Sequence, residues 1–353
     1  MDEKMLPPNW LQGCSDGYRI DALLKKKLRS SPEKDLALRL YQTMLEIRLA
    51  EQRIVTIYPT DKIQSPVHLS IGQEGISAGI CLALAAEDHL YGTYRGHGLY
   101  LARGADMGEM FAELYGKDAG CTRGKGGSMH LVAPHVGLMG CSAIVGSTIP
   151  VATGDALAAK ILKKKYVTAA VFGDGAVDEG VFYESVNFAV LKKLPVMYVC
   201  ENNKYAIHSK VADRHAQTVV AKFASGLGLR GITIDGDDVF GVYKTVLREA
   251  SALRRGGAPV LIEMTTHRWQ EHVGPGSDIE EYYRHKGEKS RAKRSDPLTR
   301  GAGILKKKFS VTAGDLAAMQ SEIAAKVDRA VAFAEAAPFP GPERLTADTF
   351  ALS

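Results

Sequence analysis

Apolar residues recur at close to helical spacing early in the chain, where Leu36, Leu40, Met44, Ile47 and Ile54 share one face over 33–57. Just before them Ser31-Pro32-Glu33 offers a capping hydroxyl and a proline suited to a first turn, so the pattern predicts a core-facing helix starting there. Two shorter apolar segments, Gly72 to Leu84 and Ala105 to Leu114, read as helices separated by glycine-rich loops. The rhythm then changes. Val167-Thr-Ala-Ala-Val-Phe172 is a continuous apolar run ending in Gly173-Asp174-Gly175, and Val196-Met-Tyr-Val-Cys200 is a second, ending in Glu201-Asn202-Asn203. Between them Phe182 to Leu191 suits a helix stopped by Pro195. Strand, helix, strand, with strands apolar on both faces, is the pattern of a right-handed crossover in a parallel sheet. A third run, Val260 to Met264, leads into Thr265-Thr-His-Arg-Trp269, and an Ala-rich helical stretch over 313–336 precedes Pro338-Phe-Pro-Gly-Pro342. With no internal repeat or long linker, the reading is an α/β domain over 33–310, a mostly parallel sheet flanked by helices. An arm over 1–32 precedes it, and a C-terminal helix and tail over 311–353 follow.

Composition narrows the possible partners. The net charge of +5, from 45 basic and 40 acidic residues, is mild for 353 residues and argues against nucleic acid. The clearest basic run, Arg284 to Arg294, has few interleaved aromatics and reads as a solvated or anion-binding loop. No apolar stretch approaches the roughly 18 to 20 residues of a membrane span, and the first residues lack the order of a signal peptide. Five cysteines, odd in number and without paired spacing, suggest buried thiols in a cytoplasmic setting, and the scattered histidines give no zinc pattern. Glycine is the unusual figure. Of 36 glycines, 20 fall from Gly72 to Gly180, which points to backbone approaching something closely.

Open parallel sheets bind ligands beyond the carboxyl ends of their strands. Both polar signatures, Gly173-Asp174-Gly175 and Asn202-Asn203, sit at such ends. A carboxylate and an amide oxygen, with glycines that admit anionic oxygens, are hard donors of the kind Mg²⁺ takes when it also keeps phosphate oxygens. Either motif alone is commonly an ordinary turn. Together, with a helix between and Asp174 lying 29 residues before Asn203, they favour a Mg²⁺-diphosphate site.

At this point the sequence resembles the thiamin diphosphate enzymes, whose motif runs from Gly-Asp-Gly to Asn-Asn. Four further segments follow the order of the alpha subunit of the decarboxylating first component of 2-oxo acid dehydrogenases, in the pyruvate and acetoin branch: His68 to Gly75, Tyr91 to Gly98, Gly124 to His130 and Ala143 to Pro150. The resemblance covers roughly 33–310. It implies a thiamin diphosphate-binding fold, with Mg²⁺ on the side chains of Asp174 and Asn203 and the carbonyl of Tyr205. It further implies the diphosphate against Gly175 and Ala176, Tyr94 and Arg95 toward its phosphates, Ala143 and Val145 holding the aminopyrimidine, and Ile144 helping to keep the cofactor bent. His68 matches a histidine lining the substrate pocket and His272 a cofactor-binding one near the diphosphate and the reacting carbon, where groups titrating near neutrality would suit the chemistry. Of the other histidines, His130 is the one expected to line the site. The glutamate that activates the cofactor is missing, and the resemblance places it on a beta subunit in an α2β2 assembly, with a lipoyl-bearing acyltransferase as acceptor.

Some features depart from the family. Ala143 replaces a more usual Gly. In the active-site loop Trp269-Gln270-Glu271-His272-Val273 lacks the first His and the Ser of the usual Tyr-His-Gly-His-Ser, so phosphorylation control is not inferred there. Glu271 adds a negative charge beside His272, expected either to raise its basicity or to select against bulky anions. Three rivals stand against this reading, one of them a non-catalytic partner subunit, disfavoured because every inferred cofactor ligand is present. A P-loop over Gly120 to Gly127 fails because Ala119 stands where the pattern needs Gly and Gly126 follows Lys125. A ketol transferase of the transketolase kind, without a lipoyl complex, keeps the cofactor and changes the reaction.

Overall fold

The computed structural model describes residues 31–278 and 283–347. The arm over 1–30 and Cys14 lie outside the described residues. Six parallel strands form the sheet: β1 (His89–Thr93), β2 (Leu138–Ser142), β3 (Thr168–Gly173), β4 (Val196–Asn202), β7 (Arg230–Asp235) and β8 (Val260–Thr265), in the order β2-β1-β3-β4-β8-β7. A hairpin of β5 (Tyr205–Ala206) and β6 (Ser209–Lys210) follows β4. The helices are α1 (Pro32–Ile57), α2 (Glu74–Ala83), α3 (His97–Ala102), α4 (Met107–Leu114), α5 (Thr148–Ile161), α6 (Gly180–Lys192), α7 (Val211–Arg214), α8 (Val239–Arg254), α9 (Glu288–Arg294), α10 (Pro297–Phe309) and α11 (Ala313–Ala336).

Both faces of the sheet are covered, which is why its strands read as unbroken apolar runs. On β3, Ala169 and Val171 join a core built with α1, α2, α4, α8 and α11, while Ala170 and Phe172 face a second core with α5 and α6. Ser31 caps α1 by accepting from Lys34 N, and α11 starts with a capping box between Thr312 and Asp315. Three strands carry weaker sequence signals. β1 is five residues long and contains Gly92, where a Cβ would come 2.7 Å from Leu99 Cδ1, whereas β2 and β7 are edge strands.

Register sets the geometry of the site. Gly173 pairs level with Glu201, and Asn202 level with Thr265, so β3, β4 and β8 end on one line. A buried ion pair braces the elements beneath it. Arg48 of α1 bonds both carboxylate oxygens of Glu74 on α2, the Oε2 contact being 2.9 Å, and reaches Asp296 Oδ1 ahead of α10 at 2.9 Å. Its guanidinium lies 4.5 Å from the Trp269 ring, and that ring fills the space beside Gly72, whose φ is +98°. Removing one member of a buried pair strands the others without compensation. Arg48→Ala is therefore expected to lower stability by about 3–5 kcal/mol, read as a fall in urea midpoint with the slope unchanged.

The basic run keeps His285, Lys286, Lys293 and Arg294 exposed, as expected, but its first residue differs from the sequence reading. Arg284 is buried rather than solvated, bonding Asp278 Oδ2 at 2.8 Å and Glu288 Oε1 at 2.8 Å and lying over the Tyr205 ring at 4.5 Å. Neighbouring carboxylates and an aromatic face turned a nominal surface charge into an internal brace.

Candidate active site at the carboxyl ends of the strands

The turns after five strands enclose one cavity of about 340 Å³. From β1 come Tyr94 and Arg95, from β2 Ala143 and Val145, from β3 Asp174, Gly175 and Ala176, from β4 Asn203 and Tyr205, and from the segment after β8 Arg268 and His272. His68 enters from the loop before α2. Ile144 does not line the cavity. Its side chain is 68% exposed at the lip, and Val145 beside it is 41% exposed. His130 is also absent from the lining, where Met129 takes its place.

Three rings make one wall. His68 and Tyr94 lie 4.4 Å apart between centroids, His68 and His272 5.2 Å, and Tyr94 and His272 5.5 Å, the last two edge-on. Arg95, buried beneath them, donates to the carbonyls of Leu69 and His272. Burial pushes both imidazoles down to about 3, with Arg95 adding to the effect at each and Arg268 contributing further. The two histidines are thus neutral rather than poised near pH 7. The expectation that Glu271 raises the basicity of His272 fails for the same reason, since two guanidinium charges and loss of water prevail. A neutral imidazole carries one donor and one acceptor, and His68 Nδ1 has no partner among the described residues.

The opposite wall is acidic. Asp174 is buried at the end of β3 and pairs with Arg214, which also meets Asp178. Burial raises the Asp174 carboxyl to about 6, and Arg214 works against that rise. Of the two asparagines, Asn202 is structural, its Nδ2 bonding Glu263 at 2.6 Å and its Oδ1 accepting from Lys204 N at 2.9 Å. Asn203 faces the cavity, where Nδ2 bonds Gln73 Oε1 at 3.1 Å and Oδ1 accepts from Tyr205 N at 3.2 Å. Gln73 Nε2 is buried without a partner among the described residues. Among the described residues no cluster of three or more His, Cys, Asp or Glu side chains can hold a metal. The donor set here is one carboxylate that already accepts a cationic partner, one amide oxygen and main-chain carbonyls, which suits a hard cation completed by phosphate oxygens.

Several residues of the cavity carry no motif in the sequence. Glu201, buried beside Arg95, has its carboxyl pushed up to about 7 by burial, with Arg95 opposing. Arg268 is buried, bonding Gln270 O at 3.0 Å and Tyr283 OH at 2.8 Å. The signal for Glu201 was its place at a strand end beside Asn202. Arg268 had only its position after β8.

The depressed histidines have a pH consequence. Between about 3 in the fold and about 6.5 in the unfolded chain, the unfolded state binds more protons. This source of stability is intact above about 6.5 and declines as pH falls toward about 3. Nitrogen-15 NMR of the imidazoles is expected to show His68 and His272 uncharged at pH 5.

A profile of the "Dehydrogenase E1 component" family matches residues 41–343. The alpha subunit of the acetoin:2,6-dichlorophenolindophenol oxidoreductase of Bacillus subtilis is 34% identical over 329 residues, 93% of this chain and 97% of the relative. The protein of the same name from Cupriavidus necator is 36% identical over 90% of this chain and 95% of its own length. The chloroplastic pyruvate dehydrogenase E1 component subunit alpha-3 of rice is 35% identical, with 91% and 77% covered. With five of six parallel strands opening onto one cavity and similarity along nearly the whole length, the chain belongs to the dehydrogenase E1 component family.

Proposed function

We propose that the chain is the alpha subunit of a two-subunit thiamin diphosphate enzyme that decarboxylates a small, pyruvate-like 2-oxo acid or cleaves acetoin, passing the acyl group to a lipoyl acceptor. The observation carrying this reading is the single cavity with Asp174 and Asn203 on one wall and the His68, Tyr94 and His272 rings on the other. The cofactor supplies an acidic carbon and a cationic ring that takes up electrons when CO2 leaves. The chain's own groups bind, orient and exclude water. Asp174, Asn203 and the Tyr205 carbonyl would hold Mg²⁺, and the backbone at Gly175 and Ala176 would approach the diphosphate, with Tyr94 and Arg95 directed toward its phosphates. Ala143 and Val145 would hold the aminopyrimidine, with Ile144 beside them.

The substrate end follows from electrostatics. Arg95 and Arg268 create a positive field around two uncharged imidazoles, which favours a carboxylate while leaving His68 and His272 free to donate or accept a hydrogen bond. Thr93, Tyr94 and Met129 complete that end.

The apolar lip at Ile144 and Val145 supports a partner subunit closing the cavity, and the activating glutamate would come from that beta subunit within an α2β2 assembly. Among the described residues no helix is long and apolar enough to cross a membrane, and with four free cysteines we place the chain in the cytoplasm. The relatives' names as dehydrogenase and oxidoreductase subunits favour this chemistry over ketol transfer.

Co-production with its beta subunit and assay of pyruvate, acetoin and other 2-oxo acids with dichlorophenolindophenol tests the reading. Turnover is expected from the complex and none from the isolated chain, and appreciable turnover by the chain alone would overturn the partner requirement. Asp174→Ala should weaken cofactor binding by about 100-fold, measured by circular dichroism on adding thiamin diphosphate with Mg²⁺.

A further inference from the structure

The stretch from Gly120 to Gly127 has the glycine content of a phosphate-binding loop, and its main-chain N–H groups do converge on an anion. That anion belongs to the chain. Glu113, next to last in α4 and 1% exposed, accepts through Oε2 from Thr122 N at 2.8 Å and Gly124 N at 3.0 Å. Through Oε1 it accepts from Gly126 N and Gly127 N, each at 2.9 Å. Its partners are main-chain dipoles rather than a cationic side chain. A carboxylate at the C-terminal end of a helix faces the unfavourable pole of the helix dipole, which four charge-assisted hydrogen bonds offset. The wrap is tight. Gly124 has φ +75°, and a Cβ there would come 2.5 Å from the Gly116 carbonyl carbon, while one at Gly120 would come 2.6 Å from Glu113 Cα.

This loop leads into the turn Gly127–Met129, from which a buried chain of hydrogen bonds runs toward the site. Ser128 Oγ lies 2.8 Å from His97 Nε2, and His97 Nδ1 lies 3.2 Å from Glu51 Oε1. The same Glu51 oxygen accepts from Ser70 N and Ser70 Oγ, both at 2.9 Å. Ser70 is two residues from His68, and Met129 lines the cavity. Glu113 therefore stands behind the wall of His68 and Met129. Asp174 is carried by β3 and pairs with Arg214, outside this chain of bonds, and Asn203 is carried by β4 and meets it through Gln73.

We propose that Glu113 is an internal substitute for a bound anion, folding the Gly120–Gly127 loop and, through Ser128, His97, Glu51 and Ser70, positioning His68 toward the substrate. It is a positioning residue, and its effect on turnover rests on the 2-oxo acid or acetoin chemistry proposed above.

Glu113→Gln keeps the volume and removes the charge, placing an amide N–H₂ against two N–H groups. In the complex with the beta subunit it is expected to raise KM for pyruvate or acetoin roughly tenfold or more, the scale of losing one charge-assisted hydrogen bond. The dissociation constant for thiamin diphosphate with Mg²⁺ should stay within twofold. Unchanged KM, or KM and cofactor affinity worsening in equal proportion, would overturn the proposal. Glu113→Ala removes a CH2–COO⁻ group, the size of acetate. Acetate is expected to raise the Tm of that full-length variant saturably, while acetamide, its neutral counterpart, leaves it unmoved. No response to acetate, or an equal one to acetamide, overturns the anion role. Should the alanine variant not fold unaided, its folded yield in acetate against acetamide makes the same comparison. A wild-type complex that turns over neither substrate would sink the proposed function, while the acetate comparison would still decide whether Glu113 is the loop's anion.

Discussion

Everything at the site depends on parallel strands ending level. A parallel ladder carries hydrogen bonds along one direction, so the last residues of neighbouring strands leave the sheet together and their next residues face common space. Gly173 beside Glu201 and Asn202 beside Thr265 fix that line. Residues far apart in sequence, from Tyr94 to His272, meet because each follows the end of a strand or packs on one. The apolar cores on both faces keep the strands from sliding, since a shift of one residue would exchange the two faces.

Buried charge inside this frame is mixed in sign. Two buried guanidinium groups sit with the imidazoles and two buried carboxyls, Asp174 and Glu201, sit at the ends of β3 and β4. Loss of water acts on all of them by opposing the charged form, which lowers the histidines and raises the acids. At neutral pH the site thus holds uncharged imidazoles near fixed positive charge. That combination attracts an anion without presenting an acid strong enough to protonate it.

Much of this was legible in the sequence where short-range pattern and physical cause coincide. The runs Val167 to Phe172, Val196 to Cys200 and Val260 to Met264 became β3, β4 and β8, and the helical stretch at 313–336 became α11. The strands β1, β2 and β7 were not legible, because two lie at edges and β1 is a five-residue strand with Gly92 packed on Leu99. In the site, Asp174 and Asn203 were marked by strand-end motifs. Arg268 and Arg214 had no such mark, since their roles arise from which charges the fold places opposite them. The charge states of His68 and His272 were misread for the same reason, as burial and Arg95 act through space. The glycine-rich stretch at 120–127 was read as a failed P-loop, and its true partner, Glu113, lies outside any pattern.

If a partner closes the lip at the exposed pair Ile144 and Val145, as proposed above, a thermodynamic consequence follows. When part of a binding wall is supplied by another molecule, ligand capture and subunit association become linked equilibria, each strengthening the other by the same factor. The apparent affinity for cofactor then depends on protein concentration. Dilution opens the wall, releases the ligand and further weakens association, so the assembled site behaves as a single cooperative unit that forms or disperses as a whole.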